Sequence, residues 1–292
     1  MKKQAVNISF EFFPPKTLEG IRNLSDTALT LSEFSPTFFS VTYGACGSTH
    51  DGTIDTVKML QQKIDAPVSP HISCIGSTRS ALADLLALYR SLGIKRLVAI
   101  RGDLLPGIDN AGEIRFANEL VSFIRDETGD HFEIAVAAYP ECHPAAVSAR
   151  QDLFYLKEKV MAGANSAITQ YFFNPDAYFY FLDECAKQNI FIPIIPGIMP
   201  ITQFSKLVRF SNSCGAEIPR WIYKRLEAYG DDEVSSKAFA TEVVYNLCEQ
   251  LTKGGAPGLH FYTLNQAEAA STLVKMLGIH SQLVRASGTR VL

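Results

Sequence analysis

The sequence predicts a (β/α)8 barrel, formed by residues 1–292 as one domain, with extra helices between its seventh and eighth strands. Three observations lead there. Eight apolar, β-rich runs recur, at 8–13, 38–43, 68–74, 96–100, 133–139, 167–173, 191–198 and 258–264. Most are near-continuous, as strands of a parallel sheet covered by helices should be. Helical stripes fill the intervals between them. An open doubly wound sheet is the alternative. Its usual GxGxxG turn after the first strand is absent, and that strand runs instead into Pro14-Pro15.

The first run, Ser9-Phe10-Glu11-Phe12-Phe13, stops at the two prolines because proline cannot continue a sheet ladder. Ile21, Leu24, Ala28 and Leu31 then recur at helical spacing. The second run ends Val41-Thr42-Tyr43-Gly44-Ala45, and the third contains His71. Leu82, Leu85, Leu86 and Tyr89 form another stripe, with Gly93 placed to end it. The fourth run ends Arg101-Gly102-Asp103, and the fifth ends Tyr139-Pro140-Glu141-Cys142-His143-Pro144. Leu153, Leu156 and Val160 make a third stripe, closed by Gly163. The sixth run holds Thr169-Gln170, and the eighth ends Tyr262-Thr263-Leu264-Asn265-Gln266. The connection 199–257 is long and holds helical segments at 203–211 and 234–253.

Apolar residues make up 47% of the chain, enough for a full-sized core, and the net charge is −3 with the signs well mixed. That balance excludes a nucleic-acid footprint and a membrane-surface patch. No apolar run of signal-peptide length precedes Glu11, and no stretch approaches a membrane span, so the cytoplasm is the expected compartment. The six cysteines form no CxxC pair, which argues against a zinc site and a disulfide framework. Cys142 and His143 are adjacent, and adjacent residues rarely point at one another as a nucleophile and base must. Trp221 is read as a packing residue.

In a barrel, catalytic groups collect where the strands end. Glu11 is the most informative of them. A carboxylate among phenylalanines is expensive to bury as a charge. The expectation is a raised pKa and a protonated side chain near neutral pH, which describes a candidate general acid. The competing reading is a structural Glu paired with a Lys or Arg. Asp103 sits in a polar turn, so the two carboxylates have contrasting surroundings. Arg101, His71 and His143 suit an anionic or phosphate-bearing ligand, and Tyr43 and Tyr139 can line a flat ring. No metal-ligand spacing is visible. The set points to an organic cofactor with phosphates and a planar ring.

These segments, with Ser40-Val41-Thr42-Tyr43-Gly44-Ala45, Ala164-Asn165-Ser166-Ala167-Ile168-Thr169-Gln170 and His260-Phe261-Tyr262-Thr263-Leu264-Asn265, resemble the methylenetetrahydrofolate reductases of bacterial type. The motifs come in order from Ile8 to about Gly278. The resemblance implies a flavin-containing barrel that takes hydride from NADH or NADPH into FAD. It implies that hydride then passes to 5,10-methylenetetrahydrofolate in a ping-pong cycle, giving the 5-methyltetrahydrofolate that feeds methionine synthesis. Bacterial likeness favours NADH, and the family implies a homo-oligomer.

Carried over by position, Glu11 matches the general acid that protonates folate N10. Asp103 matches an aspartate near the flavin that also contacts the pterin, and Gln170 a substrate-binding glutamine. Thr42, Tyr43, Ala45, His71, Arg101, Gly102, Asp103, Ala117, Tyr139, His143, Ala146, Asp152 and Lys159 fall on FAD-binding positions. Phe210 matches an aromatic that stacks on the bound ring. Two positions depart from the pattern. Gln266 stands where many relatives have arginine, and an amide can hydrogen-bond folate but cannot pair with its carboxylate. Glu158 stands where a basic residue is expected. Larger eukaryotic relatives add a regulatory domain for which this chain has no room, so no inhibition by S-adenosylmethionine is expected. Two other readings stay open at this point: another FAD barrel oxidoreductase, such as a proline dehydrogenase-like enzyme, and a flavin- or folate-binding barrel without chemistry.

Overall fold

The computed structural model describes residues 6–43, 50–102 and 112–279. Its strands are β1 (Asn7–Phe12), β2 (Phe38–Val41), β3 (Val68–Ser73), β4 (Arg96–Ile100), β5 (Glu133–Ala138), β6 (Ser166–Thr169), β7 (Ile194–Ile195), β8 (Gly197–Ile198) and β9 (Gly258–Tyr262). All pairings are parallel, in the order β7-β6-β5-β4-β3-β2-β1-β9-β8. β7 and β8 are the two halves of one stave, broken at Pro196. The upper and lower staves of the order therefore meet, and the ring is a (β/α)8 barrel.

Chemistry at Pro196 explains the break. Ile194 and Ile195 pair with Ala167 and Ile168 of β6, whereas Gly197 and Ile198 pair with His260 and Phe261 of β9. Proline has no N–H to give to a ladder. Its carbonyl instead accepts from His260 N at 3.0 Å, and the next amide, Gly197 N, donates to Thr169 Oγ1 at 2.9 Å. The Tyr262 hydroxyl also reaches across the stave and donates to Thr169 O at 2.7 Å. A Cβ on Gly197 would lie 2.2 Å from Thr169 O and 2.6 Å from the Tyr262 ring, so only glycine leaves room for this crossing.

The helices are α1 (Leu18–Ser32), α2 (His50–Lys63), α3 (Arg79–Ser91), α4 (Ala117–Thr128), α5 (Ala149–Met161), α6 (Pro175–Lys187), α7 (Phe204–Cys214), α8 (Arg220–Tyr229), α9 (Glu233–Lys253) and α10 (Glu268–Met276). Thr17, Thr78, Ser148, Asn174 and Asp232 cap α1, α3, α5, α6 and α9 by accepting a backbone N–H in the first turn. The long connection carries three helices; α8 was not foreseen. Its buried stripe is only Ile222 and Leu226, too short for periodicity to reveal. Trp221 packs edge-on to Phe239 yet is 59% exposed, so it is a surface residue rather than a core one. None of the described helices is long and apolar enough to cross a membrane.

Strand alternation divides the core into two layers. Phe10, Phe12, Phe39 and Phe261 point outward, into one large cluster with Leu24, Leu31, Leu82 and Leu86 of the helices. Each such side chain contributes about 1.5–3 kcal/mol by leaving water. Phe38, Val98, Ala135 and Ile168 fill part of the lumen, with Ile100 and Ile195 against them. The residues left facing the lumen on the β1, β2, β3 and β9 side are polar, and they make the site.

Candidate active site

Glu11 lies in register with Ser40 on one side and Tyr262 on the other, and Ser9 with His260. All face inward. Oε2 of Glu11 is 3.2 Å from His71 Nε2 and 3.4 Å from His260 Nε2, and accepts from Ser40 Oγ at 3.3 Å. Nδ1 of His260 is 2.7 Å from Ser9 Oγ, and its ring stacks on Phe38. His260 is fully buried, while the Glu11 side chain keeps 17% of its surface open. One carboxylate oxygen thus faces two imidazoles and a hydroxyl at the mouth of the lumen.

This arrangement corrects the expectation of an uncharged Glu11. Burial pushes its pKa up, but the Coulombic pull of His71 and the hydrogen bonds and charge of the two histidines outweigh it, lowering the pKa to about 2. The phenylalanines that suggested a protonated acid are sequence neighbours on the opposite face of the strand. They face the helices, not the carboxylate. The ion-paired alternative is closer, with histidines in place of Lys or Arg.

The strand end around Glu11 is clasped. Pro14 and Pro15 end β1, and the Asn265 side chain takes over the ladder, accepting from Phe13 N at 3.0 Å and donating to Phe13 O at 2.8 Å. Thr263 Oγ1 donates to the carbonyl of Glu11 at 2.7 Å. Leu264 and Asn265 hold positive φ (51° and 57°), a strained turn that this bonding sustains. A cleft of about 460 Å³ opens beside the clasp, lined by Phe13, Pro14, Lys16, Asn23, Asn265 and Gln266.

The other predicted residues divide into groups. Thr42 Oγ1 is buried and makes no hydrogen bond among the described residues, while the buried His71 Nε2 faces Glu11 Oε2. Burial pushes the Tyr43 phenol up to about 12. Gly102 has φ +84°, and a Cβ there would lie 2.0 Å from Ser73 Oγ, which donates to Arg101 O at 2.8 Å. Above β5, the His143 amide donates to Asp152 Oδ2 at 2.8 Å, and the Tyr139 and His143 rings meet edge to face. Ala146 closes the turn through its N–H to His143 O. Burial raises the Asp152 carboxyl against the pull of the His143 amide and Lys159. Lys159 is buried, donates to Ala137 O at 2.5 Å, and is brought down to about 8 by desolvation. Ala117 opens α4, Phe210 is half-buried on α7, and Gln266 is exposed at the cleft. Gln170 lines a small crevice with Tyr139 and Tyr171. Ala45 and Asp103 lie outside the described residues.

Sequence reasoning missed His260, Ser9 and Ser40 as partners of Glu11. The signal was available: His260 and Tyr262 alternate on β9 as Ser9 and Glu11 do on β1, so all four share the inner face.

A parallel (β/α)8 barrel with a charged carboxylate and imidazoles at the strand-end mouth belongs, by fold and site, among barrel enzymes. Comparison with known proteins narrows this. Residues 1–278 match the sequence model of the family described as methylenetetrahydrofolate reductase. The chain is 39% identical over 278 residues to the 5,10-methylenetetrahydrofolate reductase of Salmonella typhimurium, covering 95% of this chain and 93% of the relative. It is 38% identical over the same length and coverage to the enzyme of that name from Escherichia coli. Among solved structures, an uncharacterized Clostridium thermocellum protein that binds two copies of 5-methyl-5,6,7,8-tetrahydrofolic acid superposes with a TM-score of 0.70. The alignment covers 94% of this chain and 96% of that one at 20% identity, a likeness of fold. The chain belongs to the methylenetetrahydrofolate reductase family and is an oxidoreductase by that membership.

Proposed function

We propose that the protein reduces 5,10-methylenetetrahydrofolate to 5-methyltetrahydrofolate, with NADH or NADPH as the hydride source and FAD as the resident cofactor. The observation that carries this reading is the Glu11 cluster at the lumen mouth of a chain in this family. Fit to a flavin is supported by the buried Thr42 Oγ1, which has no hydrogen-bond partner among the described residues, and by the buried Lys159 cation. When bound, FAD supplies a two-electron relay between the nicotinamide and the folate. Thr42, Tyr43, His71, Arg101, Gly102, Tyr139, His143, Asp152 and Lys159 would hold it, with Ala45, Asp103, Ala117 and Ala146. Gln170, Phe210, Gln266 and Asp103 would hold the folate.

The residues here manage a proton. Opening the folate imidazolidine ring needs a proton on N10 as the C–N10 bond breaks and its electron pair stays on nitrogen. The carbon left as an iminium then accepts hydride. Glu11 is a carboxylate in this site, so the proton does not wait on it as a standing acid. Solvent supplies it at the open part of the Glu11 side chain, and Oε2 takes it up by giving up its contacts with the imidazoles of His71 and His260. A substrate nitrogen near Glu11 takes the proton as the carboxylate returns to its imidazole partners. The test is an anaerobic pair of half-reactions on the purified protein with FAD. NADH or NADPH should bleach the flavin, and 5,10-methylenetetrahydrofolate should restore its colour. A bleached flavin that the folate leaves unchanged sinks the reading.

A further inference from the structure

A buried hydroxyl just beyond β6 has no part in the site described so far. Tyr171 is 3% exposed. Its hydroxyl is 3.0 Å from Ser211 Oγ and accepts from Cys214 Sγ at 3.4 Å. Ser211 and Cys214 are three residues apart on α7, so one hydroxyl grips adjacent turns on one helix face. Leu207 and Ser211 are the buried residues of α7, which places that face against the barrel.

The core does not require this bond. A phenylalanine at 171 would fill the same space, as Phe172 and Phe173 do beside it. An alanine at 211 would suit a helix better than serine. A hydroxyl on a buried face is costly unless paired, so a matched pair kept there points to position rather than bulk. Each partner stands next to a residue assigned above to the folate: Tyr171 follows Gln170, and Ser211 follows Phe210. Gln170 Oε1 accepts from Tyr171 N at 3.0 Å, so its NH2 group is the end left to donate to a ligand. On its other side the Tyr171 ring meets the Tyr262 ring edge-on at 6.4 Å, and Tyr262 is in register with Glu11. A second tie, from Glu217 N to Glu141 Oε2 at 2.8 Å, anchors the chain just after α7 to the end of β5. The Tyr171 tie is the one at the turn that carries Phe210.

We propose that Tyr171 is a positioning residue for the folate: through Ser211 and Cys214 it fixes α7, and so sets where Phe210 stands relative to Gln170. The inference rests on the folate reading above and adds residues that act without touching substrate.

Tyr171→Phe and Ser211→Ala each remove one hydroxyl and little volume. Each should raise the KM for 5,10-methylenetetrahydrofolate about tenfold at unchanged kcat, leaving FAD affinity and flavin reduction by nicotinamide as in wild type. The double variant should be no worse than the worse single one, since both changes break one bond. An unchanged KM, additive losses in the double variant, or equal loss in both half-reactions overturns the proposal. Hydrogen exchange is followed on the same purified proteins. Amides of α7 should exchange about tenfold faster in both single variants, with those of β5 and β6 unchanged. That result supports the tie even if the wild type reduces no folate, the outcome that sinks the folate reading itself. Amides of α7 that exchange as in wild type overturn the proposal.

Discussion

His260 Nε2 sits 3.4 Å from Glu11 Oε2 while Nδ1 of the same ring holds Ser9 Oγ at 2.7 Å. The ring is fully buried and flanked by Phe38 and Tyr262, so its plane is fixed by packing. Ser9 sets which nitrogen faces the carboxylate. His260 is thereby a positioning residue for Glu11, and Ser9 positions His260. Ser9→Ala and His260→Gln should slow flavin reoxidation by folate about tenfold to hundredfold and shift its pH profile, leaving reduction by nicotinamide near wild type. A slowing that is equal in both half-reactions and flat with pH would mean that the ring only packs the lumen.

Glu11→Gln separates two roles. Reduction of the flavin by nicotinamide should persist, and folate turnover should fall by about 10²–10⁴-fold. Equal loss of both steps in stopped-flow traces would assign Glu11 to cofactor binding or structure.

Glu11 also predicts acid sensitivity. Its folded pKa of about 2 lies below the ordinary 4.5, so the unfolded chain binds the proton first as pH falls. The stabilisation is present above about pH 4.5 and is lost as pH drops toward 2, by about 3 kcal/mol in all. Urea melts between pH 5 and 2.5 should show this slope in the wild type and a shallower one in Glu11→Gln. Identical slopes would remove the histidine pairing from the account.

Lys159 has the opposite sign. Desolvation lowers it from 10.5 to about 8, so the unfolded chain holds the extra proton between those values and stability rises as pH climbs through that window. Lys159→Met should raise ligand-free stability at neutral pH, by up to about 3 kcal/mol, while weakening FAD binding. A variant that melts lower and binds FAD unchanged would make Lys159 a structural hydrogen-bond donor to Ala137.

Gly197→Ala should destabilise the barrel by about 1–3 kcal/mol, because its Cβ meets Thr169 O and the Tyr262 ring. Tyr262→Phe removes the hydroxyl that reaches Thr169 O, a loss of about 1–2 kcal/mol. Combined, the two changes should cost less than their sum, since both act on one crossing. Strict additivity in denaturant midpoints would show them to be independent.

The architecture was legible because buried parallel strands read as apolar runs, and those at 96–100 and 133–139 lie within one residue of β4 and β5. The seventh apolar run is longer than its strand, since Phe191 and Ile192 are apolar yet precede Ile194, where pairing begins. Glu11 was found but its charge was misread. Adjacent phenylalanines in the sequence say nothing of the inner face, where residues from β2, β3 and β9 decide the electrostatics. His260 reaches Glu11 across 249 positions of chain, and only strand register brings them together.

Pro196 leaves the barrel with one wall joined by two-residue ladders on each side, Ile194–Ile195 toward β6 and Gly197–Ile198 toward β9. Fewer backbone bonds anchor that stave than any other, so it is the first to yield under local strain. Tyr262 straddles it beside the Glu11 carboxylate. The room beside the acid is therefore bounded by the least firmly laced wall of the ring, with the Tyr262 hydroxyl tying that wall's neighbours together through Thr169 O.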